Sequence, residues 1–176
     1  KIYFLLVSLL CIAFSAQAQV VTSLDQLSND KVYTIKSARA FLLYSPNVPT
    51  KIASSTGKSV GSVTSNPQDP NQQFKIENVD GKYYLYSVGA GKYVGAAGAY
   101  NANKIVALNI SASGGATYRW KLLLGNQGMN SQEANQTDEG IIVNSWTSTD
   151  EGNCYSITEV TDGEGGGSAS DQVYDF

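Results

Sequence analysis

The sequence predicts an all-β domain closed into a barrel of three equivalent units, and three observations carry that expectation. Runs rich in Tyr, Val and Ile form about ten to twelve short strands, with turn signals roughly every 8–12 residues. No stretch has the length and 3.6-residue period of a useful helix. An aromatic-x-aliphatic triplet then occurs three times, as Phe74-Lys75-Ile76, Trp120-Lys121-Leu122 and Tyr155-Ser156-Ile157, spaced 46 and then 35 residues apart. Each copy follows a polar, turn-rich run, and FKIENV from Phe74 matches YSITEV from Tyr155. Alternate strand residues share a face, so each aromatic and aliphatic enters one core while Lys75, Lys121 and Ser156 point out. Each buried large side chain contributes roughly 1.5–3 kcal/mol. Three such pairs form a hub, and the uneven spacing reads as variable loops on an internal repeat.

The first 18 residues join a basic start, an apolar run and the small-residue site Ala16-Gln17-Ala18. This is the pattern of a secretory signal peptide cleaved before Gln19. The apolar run is too short to span a membrane, so the expected mature protein is secreted (extracellular, periplasmic or at the cell surface) and has no membrane span. Residues 19–160 are the expected domain, and 161–176 an acidic, Gly/Ser-rich flexible tail.

Within the domain, Ser23 followed by Gln26 is a capping-box pattern that predicts one helical turn over Leu24 to Leu27. Lys31 to Lys36 reads as a strand with Tyr33 and Ile35 in the core, and Phe41 to Tyr44 as the next. Residues 46–72 hold all four prolines and read as loop with a weak strand near Ser59 to Val63. Asp80-Gly81, between strands 73–79 and 82–88, is the dipeptide of a two-residue type I′ hairpin. Gly91 to Val94 is a short strand, and Gly95 to Ala99 is too rich in small residues for a helix. In Ile105 to Ile110 the buried face is Val106, Leu108 and Ile110. Trp120 runs straight into Gly125-Asn126-Gln127-Gly128, so the third unit is expected to lack an opening hairpin. Ile141 to Trp146 places Ile142, Asn144 and Trp146 on one face.

Composition narrows the chemistry. There is no histidine, which removes His-based triads, His metal ligands and the commonest general base. All basic residues but Lys1, and all acidic ones but four in the tail, lie between Gln19 and Val160, leaving that body without net charge. Phosphate binding needs a basic patch, so nucleic acid is not an expected partner. Cys154 is the single cysteine of the domain, which rules out an internal disulfide; it reads as a small buried hydrophobe. Asp138-Glu139 and Asp150-Glu151 are sequence neighbours, which in extended chain point apart and do not form a glycosidase pair. The loops around them lack calcium-loop spacing. No cofactor, metal or catalytic residue is expected.

The triplets resemble the closing strands of ricin B-type β-trefoil domains, whose signature is Gln-x-Trp. Gln72-Gln73-Phe74 keeps the glutamine, the second copy has Tyr118 before Trp120, and the third has Asn153 before Tyr155. The opening LDQLSNDKVYTIKS and closing DEGNCYSITEV also resemble small trefoil domains of secreted proteins from Bacteroidetes-type bacteria. The family's disulfides are absent. The resemblance, covering Val20 to Val160, implies a non-catalytic lectin-like module. In it a sugar ring stacks on an aromatic face while Asp, Asn or Gln side chains hydrogen-bond the hydroxyls. Each such contact contributes roughly 0.5–1.5 kcal/mol, which places one pocket near millimolar affinity, about −4 kcal/mol.

The expected carbohydrate site is in the third unit: Asn130, Asn144, Trp146, Asp150 and Asn153. The second unit offers Tyr93 and Asn101. The bland alternatives are equally concrete, since Trp146 and Tyr93 suit a core, and Asp150 and Asn153 suit a turn. The expected partner of the monomeric protein is a glycan or polysaccharide. The alternative is a protein partner of a scaffold or inhibitor trefoil without a sugar pocket.

Overall fold

The computed structural model describes residues 18–46, 48–53, 65–131, 141–149 and 152–161. The expected leader and tail, apart from Ala18 and Thr161, fall outside them. Among the described residues the chain forms twelve strands. These are β1 (Tyr33–Ser37), β2 (Leu43–Ser45), β3 (Val48–Ala53), β4 (Phe74–Val79), β5 (Lys82–Ser87), β6 (Lys92–Val94), β7 (Tyr100–Asn101), β8 (Leu108–Ala112), β9 (Trp120–Leu124), β10 (Gln127–Ser131), β11 (Ile141–Asn144) and β12 (Cys154–Glu159). Short 3₁₀ turns occupy Leu24–Gln26, Pro70–Gln72 and Ala96–Gly98.

Pairing closes the sheet on itself. Strand β1 pairs with β12 and β4, β4 with β5, β5 with β8, β8 with β9, and β9 with β12. This ring leaves no open edge. The ribbons β2–β3, β6–β7 and β10–β11 stand off it. Six barrel strands and three hairpins in three units is the β-trefoil architecture.

The registers fix the repeat and correct one expectation. Ser37 faces Tyr155, Ser87 faces Phe74, and Leu124 faces Leu108. At the other end of the same strands, Tyr33 faces Phe74, Tyr83 faces Leu108, and Trp120 faces Tyr155. The equivalent closing residues are therefore Phe74, Leu108 and Tyr155. Trp120 belongs with Tyr33 and Tyr83 as the opening residue of a unit. The triplet at Trp120 looks like the others because opening and closing strands both alternate inward aromatics and aliphatics. The third unit has its opening strand in β9, and β9 and β10 are joined through Gly125-Asn126.

The core follows the three-fold. Ile35, Leu85 and Leu122 are fully buried, as are Leu42, Val94 and Met129 one strand further on. Aromatic tips find acceptors or donors. Trp120 Nε1 donates to the Val21 carbonyl at 2.9 Å, Tyr155 Oη to Met129 O at 3.1 Å, and the Ser28 amide donates to Tyr33 Oη at 2.9 Å. Cys154 is buried, as expected.

Local expectations fare according to how local they are. The Ser23–Gln26 capping box is formed, and Asp80 and Gly81 have the positive φ values, 52° and 79°, of a type I′ turn. Residues 48–53, read as loop, are strand β3. There a register irregularity falls between Leu43 and Ser45, and Ile52 is buried. The stretch Ser59 to Val63 lies outside the described residues. Ala96–Gly98 makes a 3₁₀ turn with Ala97 at φ 52°, where no helix was expected. In β8 the strand begins later than expected, leaving Ile105 exposed.

Candidate carbohydrate-binding site

The third unit is built on the β10–β11 hairpin and the loop that follows it. In β11, Ile141 is buried and Val143 packs on the core, which turns Ile142 and Asn144 outward. Asn144 faces Gly128, and Ile142 faces Asn130. The polar pair Asn130 and Asn144 therefore shares the outer face of the hairpin, both half-buried.

Trp146 lies just past β11 and is 54% exposed. Its ring is not core. Its backbone is fixed from three sides. The Trp146 amide donates to Asn144 Oδ1 at 2.9 Å, and its carbonyl accepts from Asn153 Nδ2 at 3.4 Å. Gly128 approaches that carbonyl so closely that a Cβ would collide with it. Exposing a large apolar ring forgoes roughly 1.5–3 kcal/mol of burial, and here a rigid frame holds it in that position.

Asn153, expected on the sugar, faces inward instead. It is 1% exposed, and its Nδ2 also donates to Ser148 O at 3.1 Å. It occupies the place of Gln72, which is buried and accepts from the Asn66 amide at 3.0 Å. Both residues stand two before the closing aromatic and tie down the preceding loop. The glutamine of the Gln-x-Trp pattern is thus replaced here by another buried amide with the same duty. Asp150 lies outside the described residues.

The second unit differs in what covers its aromatic. Tyr93 Oη donates to Glu77 Oε2 at 3.0 Å, and the ammonium of Lys104 lies 5.0 Å from the Tyr93 ring centre. Lys104 also pairs with Glu77 at 3.0 Å. The Glu77 hydrogen bond holds the Lys104 pKa above the usual lysine value, and Tyr93 adds to it. Tyr86 packs edge-on at 5.0 Å. Tyr93 is therefore half-buried in a clasp, not an open platform. Asn101 donates its amide to Ala99 O at 3.1 Å within its own turn. It matches Asn144 by register, since Asn101 faces Tyr93 as Asn144 faces Gly128. In the first unit Tyr44 packs edge-on against Tyr100 at 5.7 Å.

Two features escaped sequence reading. Gly128 looked like an ordinary turn glycine in GNQG; its purpose is close approach to a carbonyl 18 residues on. A pocket of about 310 Å³ also opens between the β8–β9 loop on one side and Thr149 and Cys154 on the other. No local pattern announces it.

No family model matches the sequence, and no curated protein matches it. Solved structures do. A ricin B-like lectin from Macrolepiota procera, in complex with lactose, superposes with a TM-score of 0.55 at 17% identity, over 77% of this chain and 99% of that one. The Rhizoctonia solani agglutinin gives 0.54 at 16% identity, over 73% and 94%. The GlcNAcα1-4Gal-releasing endo-β-galactosidase from Clostridium perfringens gives 0.57 at 12% identity, over 74% of this chain, which spans 33% of that enzyme's chain. At these identities the likeness is one of fold, a β-trefoil.

Proposed function

We propose that this ricin B-type β-trefoil is a carbohydrate-binding module whose working site is in the third unit. Trp146 is the stacking platform, and Asn144, Asn130 and Asp150 supply hydrogen bonds to hydroxyls. The observation that carries the reading is the 54% exposure of Trp146 on a backbone held by Asn144, Asn153 and Gly128. A pre-set ring loses little entropy when a sugar lands on it. The fold shared with the Macrolepiota procera lectin, solved with lactose, supports the same class of ligand; fold likeness is the weaker support.

The role is binding without catalysis. Glu77 and Glu159 are engaged by Lys104 and Lys31, and the described residues of the proposed site are neutral amides and one ring. Secretion from a bacterial cell, directed by residues 1–18, fits a protein that meets glycans outside the cytoplasm. With one site of about millimolar strength, useful avidity comes from attachment or multiplicity.

A glycan array probed with the full chain, beside Trp146→Ala and Tyr93→Ala, tests this. The expected result is a reproducible signal lost in folded Trp146→Ala and kept in Tyr93→Ala. A folded protein that binds no glycan would sink the reading and turn attention to a protein partner.

A further inference from the structure

We infer that the third-unit site continues into a second subsite, the pocket beside Thr149 and Cys154, which takes a neutral sugar residue bearing an apolar substituent such as an acetamido group. This rests on the reading of Trp146 as the first subsite. The pocket, about 310 Å³, is walled by Ser113 and residues 115–118 of the β8–β9 loop on one side, and by Thr149 and Cys154 on the other. That is at the small end of ligand pockets, the size of part of an oligosaccharide.

Its chemistry is specific in what lines it. Ala116, Tyr118 and Cys154 are lining residues of largely apolar type, and Thr117 and Thr149 are of a type that carries both a methyl and a hydroxyl. Among the described residues no charged side chain lines it. Such a wall disfavours a uronic acid or sialic acid, whose carboxylate would lose water without a counter-charge. It suits a methyl group beside hydroxyl partners.

The pocket and the platform share one frame. Trp146 and Thr149 are three residues apart, so their Cα atoms are at most about 11 Å apart. Asn153 holds the carbonyls of Trp146 and Ser148, and the next residue, Cys154, donates its thiol to Thr149 O at 3.3 Å. The opposite wall is also pre-set. Ser113 N donates to Arg119 O at 2.9 Å, Gly115 N to Ser113 Oγ at 3.1 Å, and Ser113 Oγ to Tyr118 O. The equivalent connection between β4 and β5 is the two-residue turn Asp80-Gly81, too short to raise such a wall.

Titration calorimetry on the full chain with matched probes tests the subsite: cellobiose against N,N′-diacetylchitobiose, and lactose against N-acetyllactosamine. Ala116→Trp fills the pocket from an exposed loop position, and Trp146→Ala removes the platform. In at least one pair the acetamido sugar is expected to bind fivefold or more tightly, with Ala116→Trp erasing that preference and sparing the unacetylated partner. The same sugar should slow methylthiolation of Cys154 by methyl methanethiosulfonate at least twofold. Binding through Trp146 with no acetamido preference, a preference that survives Ala116→Trp, or an unprotected Cys154 each overturns the subsite and leaves the platform standing. Binding unaffected by Trp146→Ala, or no binding to any probe, overturns both.

Discussion

A buried amide holds an exposed ring: Asn153 Nδ2 lies 3.4 Å from the Trp146 carbonyl and 3.1 Å from that of Ser148. The stability of the loop and the availability of the ring are therefore separable. Asn153→Ala should leave two loop carbonyls without this donor and cost about 1–3 kcal/mol. Trp146→Ala, at an exposed position, should change stability by no more than about 0.5 kcal/mol. Urea denaturation of the two variants checks this; equal destabilisation would contradict it.

Gly128 tests the same frame from the other side. Gly128→Ala drives a methyl into the Trp146 carbonyl, and overpacking of this kind costs about 1–3 kcal/mol. The melting temperature should fall by several degrees, and glycan binding should weaken with it. Gly81→Ala meets open space but sits at φ 79°. It should cost about 1 kcal/mol and leave binding unchanged.

The two tryptophans make the site its own reporter. Trp120 is buried and hydrogen-bonded, and Trp146 is exposed. In Trp120→Phe the remaining emission should be red-shifted and readily quenched by acrylamide, and a stacking sugar should shift it to the blue. Quenching as low as that of a core tryptophan would show that Trp146 is covered in solution.

Alkaline pH should find Tyr100. Burial pushes its phenol above the usual tyrosine range, and the nearby Ser87 hydroxyl offsets this only in part, being outside good hydrogen-bond geometry. The folded state then keeps a proton that the unfolded chain releases near pH 10. Stability from this group is intact below about pH 10 and is lost as pH rises through the higher folded pKa. Tyr100→Phe should flatten the fall of denaturant midpoint between pH 9.5 and 11, and an unchanged slope would count against it.

What the sequence determined by itself was local. Alternation in Tyr33 to Ile35 and Phe74 to Ile76 put the right residues inward, Asp80-Gly81 turned the hairpin, and Ser23 with Gln26 capped the first turn. Repetition of such strands, with no helical period, was enough for a barrel of three units, and the resemblance of its closing strands made that a β-trefoil. Tertiary structure decided the rest, because the deciding contacts lie far apart in the chain. Ile141-Ile142-Val143 is apolar in both phases, and only pairing with Gly128 to Ser131 selects Ile141 and Val143 for the core and leaves Trp146 outside. Opening and closing strands share one pattern, so only the barrel registers separate Trp120 from Phe74 and Tyr155. Tyr93 and Trp146 were comparable aromatics in sequence. A carboxylate 16 residues before Tyr93 and an ammonium 11 after it close over the first ring, while an amide seven residues beyond Trp146 fixes its backbone, and Trp146 is exposed.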